Sequence, residues 1–325
     1  MTSPQKVLLV LLVIGSGVGC DSAPRQPVTL RIGTYATQDF LPYFVMREQG
    51  FDAKNGLVFA ETRYEGGAAV IDAMAAGLLD IGYVGTVPLL AGVDRSLVPG
   101  KIIGIAGNNV ADSDHPASGV LSNPLIKDWQ ELDGKYVAVN AATSIMAVAL
   151  EARLSHEGVR AYQLVEIPFA NMGLAVAGGN VAAAAMYDPF LTQSLLRGDG
   201  RLLGWIIGSD PFPRMVTTVT VASASLREKR PGVVKAFLRA HLAAIRWINH
   251  NAGGSRFTLM KYLSLSKNVG EKLRLLRWPL DQRHDSALLN DMQKVLLKVG
   301  TLGRSVATKE IFDETLLGEV MAENR

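Results

Sequence analysis

Six short segments gather small residues and hydrogen-bond donors: Thr37-Gln38-Asp39, Gly66-Gly67-Ala68, Gly85-Thr86, Asn140-Ala141-Ala142-Thr143-Ser144, Phe169-Ala170-Asn171 and Tyr187-Asp188. Small residues at Gly67, Ala68, Gly85 and Ala142 let backbone N–H groups approach a ligand closely. Unpaired amides at helix starts favour an anionic headgroup. Thr86, Thr143 and Ser144 add neutral hydroxyl donors, and Thr37 and Gln38 are the candidates from the first segment. Such a set binds without covalent chemistry, and it suits a sulfonate, nitrate or carboxylate. A plainer role stands beside this one: Thr143 or Ser144 caps its helix, and Gly66-Gly67 turns the chain.

Three further side chains carry two readings each. Asp188 either binds the cationic end of a ligand, which would admit an amino-bearing substrate such as taurine, or caps the helix opened by Pro189. Tyr187 beside it offers an aromatic face to an aliphatic or heterocyclic ligand. Arg214 pairs with an anion or holds a hinge. Reactive constellations are missing from the sequence. The histidines at 115, 156, 241, 250 and 284 show no HxxxH spacing, and there is no Walker loop and no GxSxG elbow. A single cysteine, Cys20, excludes an intramolecular disulfide, a cysteine-based zinc site and a CxxC pair. Neither catalysis, a metal nor a cofactor is expected.

The elements that must position these segments alternate β-rich runs with helical stretches, the pattern of α/β structure with mainly parallel sheets. One series predicts strands over 29–34, 57–63, 80–84 and 101–106. After a turn-rich stretch at 108–117, a second predicts strands over 135–139, 163–167, 182–186 and 203–207. A β-rich run at 216–223 follows, and the rest is helical. Its clearest helix opens at Pro231, places Val234, Phe237, Leu238, Leu242, Ile245 and Ile248 on one face, and ends before Gly253-Gly254. Ala75-Ala76-Gly77-Leu78-Leu79-Asp80 and Ala177-Gly178-Gly179-Asn180-Val181-Ala182 precede comparable strands, each followed by a proline turn. Two similar lobes follow, joined by two crossings near 118–122 and 216–223 that would make a hinge. Lobe 1 takes 29–117 and 223–325, and lobe 2 takes 118–222 with the crossings.

With 325 residues, 48% of them hydrophobic and a net charge of +3, the chain is globular and lacks the basic stripe of a nucleic-acid binder. Lys6, the apolar run from Val7 to Ile14 and the small residues that follow have the form of a secretory signal over 1–19. Eight apolar residues are too few for a bilayer span, which needs about twenty. Gly17-Val18-Gly19-Cys20 resembles a bacterial lipobox, although Gly17 stands where leucine is usual. Lipidation at Cys20 and simple secretion with a nearby cut are both open. A diacylated Cys20 would anchor the protein at about 0.8 kcal/mol per buried methylene, with residues 20–28 as tether. It would then sit on the periplasmic face of the inner membrane or the outer face of the cell membrane.

Phe40-Leu41-Pro42-Tyr43-Phe44-Val45-Met46-Arg47-Glu48-Gln49-Gly50-Phe51, Glu65-Gly66-Gly67-Ala68-Ala69, Ala75 to Gly82, Gly85-Thr86-Val87-Pro88, Leu132 to Val139 and Tyr187-Asp188-Pro189 follow one another in a telling order. In that order and spacing, over roughly 29–250, the chain resembles the nitrate/sulfonate/taurine-type solute-binding proteins of ABC importers. The resemblance implies a type II periplasmic binding protein: two α/β lobes that close on a small molecule, a membrane permease as partner, and a monomer. Relatives of that fold include pyrimidine-precursor binders and enzymes whose cysteine-rich motif this chain lacks. A ligand-sensing lipoprotein is a further alternative.

Overall fold

The computed structural model describes residues 26–98, 100–142 and 144–323. The signal over 1–19, the lipidation site Cys20 and the candidate Thr143 lie outside the described residues.

The chain first runs β1 (Val28–Thr34), α1 (Leu41–Glu48), α2 (Phe51–Lys54), β2 (Leu57–Arg63), α3 (Gly67–Ala75), β3 (Ile81–Gly85), α4 (Thr86–Asp94) and β4 (Ile102–Ala111). It then crosses into β5 (Ser118–Ser122), β6 (Lys135–Val139), α5 (Ile145–His156), β7 (Tyr162–Glu166), α6 (Phe169–Ala177), β8 (Ala183–Tyr187), α7 (Phe190–Arg197) and β9 (Arg201–Ile207). It returns as β10 (Met215–Ser223) and finishes with α8 (Ala224–Lys229), α9 (Pro231–His250), α10 (Ala252–Leu263), α11 (Lys267–Lys272), α12 (Ser286–Lys298), α13 (Thr308–Ile311) and α14 (Thr315–Glu323).

Two five-stranded sheets result, ordered β2-β1-β3-β10-β4 and β7-β6-β8-β5-β9. β1 pairs parallel with β2 and β3, and β10 runs antiparallel between β3 and β4. The second sheet repeats the scheme, with β6 parallel to β7 and β8, and β5 antiparallel between β8 and β9. Each sheet is therefore parallel except for the strand laid down just after the chain changes lobes. The architecture is that of a two-lobed periplasmic binding protein.

That placement corrects the expected crossings. Segments 118–122 and 216–223 are not linkers but central strands, β5 and β10, buried at every position. A strand covered on both faces must satisfy its backbone groups by pairing along both edges. The links are the short runs before them, 112–117 and 208–214. β4 likewise runs on to Ala111 through Asn108 and Asn109, whose polarity suggested a turn. Their amides are buried and bonded: Asn108 Nδ2 donates to the Thr218 hydroxyl at 2.8 Å, and Asn109 Nδ2 to Asp39 Oδ1 at 2.6 Å. At the other end, Val28 belongs to β1 rather than the tether, its N–H donating to Gly56 O at 2.8 Å.

α9 buries its whole apolar stripe and packs on α1 and α14. It stops at Asn251, which leaves helical geometry at φ −136° and ψ 62°. It thus ends before Gly253-Gly254 as expected, and that pair lies inside α10, where a Cβ on Gly254 would fall 2.6 Å from the Trp247 ring. Among the described residues no helix is long and apolar enough to cross a membrane.

Candidate functional site

The loops that leave β1, β2, β3, β6, β7 and β8 at their carboxyl ends meet around a cavity of about 640 Å³ between the two sheets. Open α/β sheets hold ligands in this position, because the helices that follow the strands present their amino ends there. α3 and α6 open on the cavity after Gly66 and Pro168 with no side-chain cap, although in α6 the Asn171 N–H is given to Pro168 O at 2.9 Å. α5 differs, since the Ser144 hydroxyl accepts from Ala147 N at 3.2 Å. Gly67 keeps the wall thin: a Cβ there would sit 3.3 Å from Gly85 N and 3.6 Å from the Tyr35 hydroxyl.

The polar centre of the cavity is Asp39, which is 3% exposed. Its Oδ1 accepts from Asn109 Nδ2 at 2.6 Å, from the Tyr187 hydroxyl at 2.9 Å and from the Thr218 hydroxyl at 3.2 Å. Its Oδ2 accepts from the Thr37 hydroxyl at 2.9 Å. Asn108 Nδ2 holds the Asp39 carbonyl at 3.0 Å, and the Thr217 hydroxyl donates to Asn109 Oδ1. Burial pushes the Asp39 carboxyl above its usual range, against the pull of these donors. None of the ion pairs among the described residues includes it. The Tyr187 bond also joins the lobes, because Tyr187 ends β8 and Asp39 follows β1.

The walls are largely apolar. Ile145, Met146, Pro168, Phe169 and Phe190 line the second-lobe side, with the two phenylalanine rings stacked at 5.4 Å and 14°. Tyr35, Tyr64 and Pro88 line the first. Arg63 and Glu65 are the other charged groups on the wall, and the Arg63 side chain is 54% exposed, 3.7 Å from Glu61. Among the described residues no group of His, Cys, Asp and Glu could hold a metal ion.

Residues 23–260 match the model of the NMT1-like family. The chain belongs to this family. A protein of Bacillus subtilis (strain 168) assigned as an aliphatic sulfonates-binding protein is 22% identical over 329 residues, covering 98% of this chain and 96% of the relative. Three solved structures share the fold. The periplasmic aliphatic sulphonate binding protein SsuA of Escherichia coli has a TM-score of 0.70 at 18% identity, over 88% of this chain and 92% of that one. The periplasmic nitrate-binding protein NrtA of Synechocystis PCC 6803 has a TM-score of 0.73 at 15% identity, over 92% and 89%. The desulfurization enzyme DSZB has a TM-score of 0.67 at 19% identity, over 91% and 99%.

Within this NMT1-like chain the residues singled out by sequence divide into two groups. Thr37, Gly67, Ala68, Gly85, Ser144 and Tyr187 line the cavity. Gln38, Thr86, Ala142, Asp188 and Arg214 do not. Gln38 is buried in the turn before α1, and Thr86 is buried in the first turn of α4. Ala142 is exposed and gives its N–H to Glu166 Oε1 at 2.6 Å. Asp188 caps α7, with Oδ1 accepting from Thr192 N at 3.0 Å and the Thr192 hydroxyl at 2.8 Å, and its carboxylate also takes the backbone N–H of Arg274 from the C-terminal segment. Arg214 pairs with Asp285 at 3.4 Å beside the second link. The sequence passed over Asp39, although it shares a segment with Thr37. It gave no signal for Thr217 and Thr218, which sit on a buried strand.

Proposed function

We propose that the chain is the extracytoplasmic solute-binding component of an ABC importer. It captures a small anion or zwitterion of the sulfonate, nitrate or taurine class between its lobes and delivers it to a membrane permease. The observation that carries this reading is the cavity itself, walled by loops from both sheets and bridged by the Tyr187–Asp39 bond. A ligand touching both walls favours the closed arrangement by its differential affinity, and the permease reads that arrangement. The relatives named above that carry a binding description are binding proteins, which supports capture over turnover. Anchoring through a lipidated Cys20 would keep the carrier beside its permease.

Purified mature protein is expected to gain thermal stability with one compound class, as mass action requires of a specific ligand. The panel is alkanesulfonates, taurine, nitrate, carboxylates and pyrimidines. No shift across that panel would remove the capture reading, and product formation from the bound compound would replace it with an enzyme.

A further inference from the structure

The polar centre of the cavity has the wrong sign for a plain anion. The buried Asp39 carboxyl stands at that centre and the exposed Glu65 lies on the wall, against one half-exposed guanidinium, Arg63, which is 3.7 Å from Glu61. Buried charges are ordinarily paired, yet every donor to the Asp39 carboxylate is neutral: the Asn109 amide from β4, and hydroxyls from Thr37, Tyr187 and Thr218. The titratable neighbours are the phenols of Tyr35 and Tyr187, both kept neutral because burial raises them. Asp39 Oδ2 takes a single donor and so retains acceptor capacity at the cavity wall. The wall also carries aromatic rings, the stacked Phe169 and Phe190 on the second-lobe side and Tyr35 and Tyr64 on the first, side chains suited to cover an apolar or ring-shaped body. A volume of about 640 Å³ is within the usual range for organic ligands and leaves nitrate mostly unsupported.

We propose that Asp39 selects a ligand carrying an ammonium group on an apolar, ring-sized body, with any acidic end turned toward Arg63 and the amino end of α3. The proposal rests on the solute-binding reading of the same cavity and assigns to Asp39 the role that the sequence had offered to Asp188. The ammonium supplies the missing counter-charge. A protonated Asp39 loses its proton to solvent as the ammonium docks, and no bond to carbon forms or breaks.

The test is calorimetry with 4-(aminomethyl)benzenesulfonate and 4-ethylbenzenesulfonate, which share ring and sulfonate and differ in ammonium against methyl. Taurine and propanesulfonate form a smaller pair with the same difference. The ammonium compound of a pair is expected to bind about tenfold or more tighter, and Asp39→Asn is expected to bring the two within about twofold. In the wild type, affinity for the ammonium compound rises with pH as Asp39 loses its proton, whereas a plain sulfonate binds better as pH falls. This second reading stands even where Asp39→Asn fails to fold. Equal affinities within both pairs, or a preference that survives Asp39→Asn, would overturn the proposal while leaving capture intact. Binding of nitrate or a plain sulfonate with neither ammonium compound bound would do the same. Silence from the pairs and from the whole earlier panel removes both readings.

Discussion

The two lobes share a strand order and an inserted antiparallel strand, but they give the cavity different materials. The first lobe supplies Asp39, the Asn109 and Thr218 that hold it and the Thr217 that holds Asn109, with Arg63 and Glu65 at the wall. The second supplies mainly Ile145, Met146, Pro168, Phe169 and Phe190, with Tyr187 as its polar reach into the first. The long helix α9 adds to the asymmetry by loading the first lobe, where it buries Phe237, Leu238 and Ile245. A repeated topology therefore repeats the scaffold and not the site. On the proposed reading, recognition would fall to the heavier lobe and cover to the lighter one.

The largest way to separate the lobes is acid. His241 is wholly buried in the first, 3.2 Å from the Tyr83 hydroxyl and 2.8 Å from Gln282 Oε1, and burial pushes it down from 6.5 to about 4. The unfolded chain takes up this proton near pH 6.5 while the folded one refuses it. Stability is therefore intact above 6.5 and falls toward pH 4, by about 3 kcal/mol from this group. Urea unfolding at pH 7.5, 5 and 4 measures it. His241→Gln should flatten the profile, and an unchanged slope would remove His241 as the cause. Asp39 acts with the opposite sign, since a raised carboxyl contributes stability at low pH that is lost as pH rises through its folded value.

Gly67→Val comes next. The added carbons enter the cavity between Gly85 and Tyr35, and affinity for any ligand that stabilises the wild type should drop about 100-fold with an unchanged circular dichroism spectrum. Phe169→Ala on the opposite wall breaks the stacked pair and is expected to cost about tenfold in the same titration, from lost cover rather than lost polarity. A greater loss from Phe169→Ala than from Gly67→Val would reverse the roles assigned to the lobes. The smallest effect belongs to Arg214→Ala. An exposed pair at 3.4 Å is worth less than about 0.5 kcal/mol, so melting and ligand affinity should both stay near wild type.

Much of the scaffold was legible because it is written locally. Strands at 57–63 and 135–139 coincide with β2 and β6, and the others agree to within a residue or two at most ends, since continuous apolar runs between turns mark buried strands. Pro231 and the stripe behind it marked α9 for the same reason. The site was legible only as loops. Thr37, Gly67, Ala68, Gly85, Ser144 and Tyr187 reach the cavity as their position after strands implies. Asp188 looked equally well placed, but its helix needed a cap and took it. Local hydrogen bonding competes with ligand binding for the same carboxylate, and the sequence does not say which wins.

By itself, then, the sequence determined two α/β units, the order of most of their strands along the chain, and a ring of loops with small residues and donors. Those features depend on neighbours a few positions away. Tertiary structure decided that β5 and β10 are central strands and not linkers, because only the folded sheets show which backbones pair on both edges. It also decided that Asp39 is the polar centre. Its partners Asn109, Tyr187 and Thr218 lie 70, 148 and 179 residues away, a convergence that strand pairing and lobe docking create.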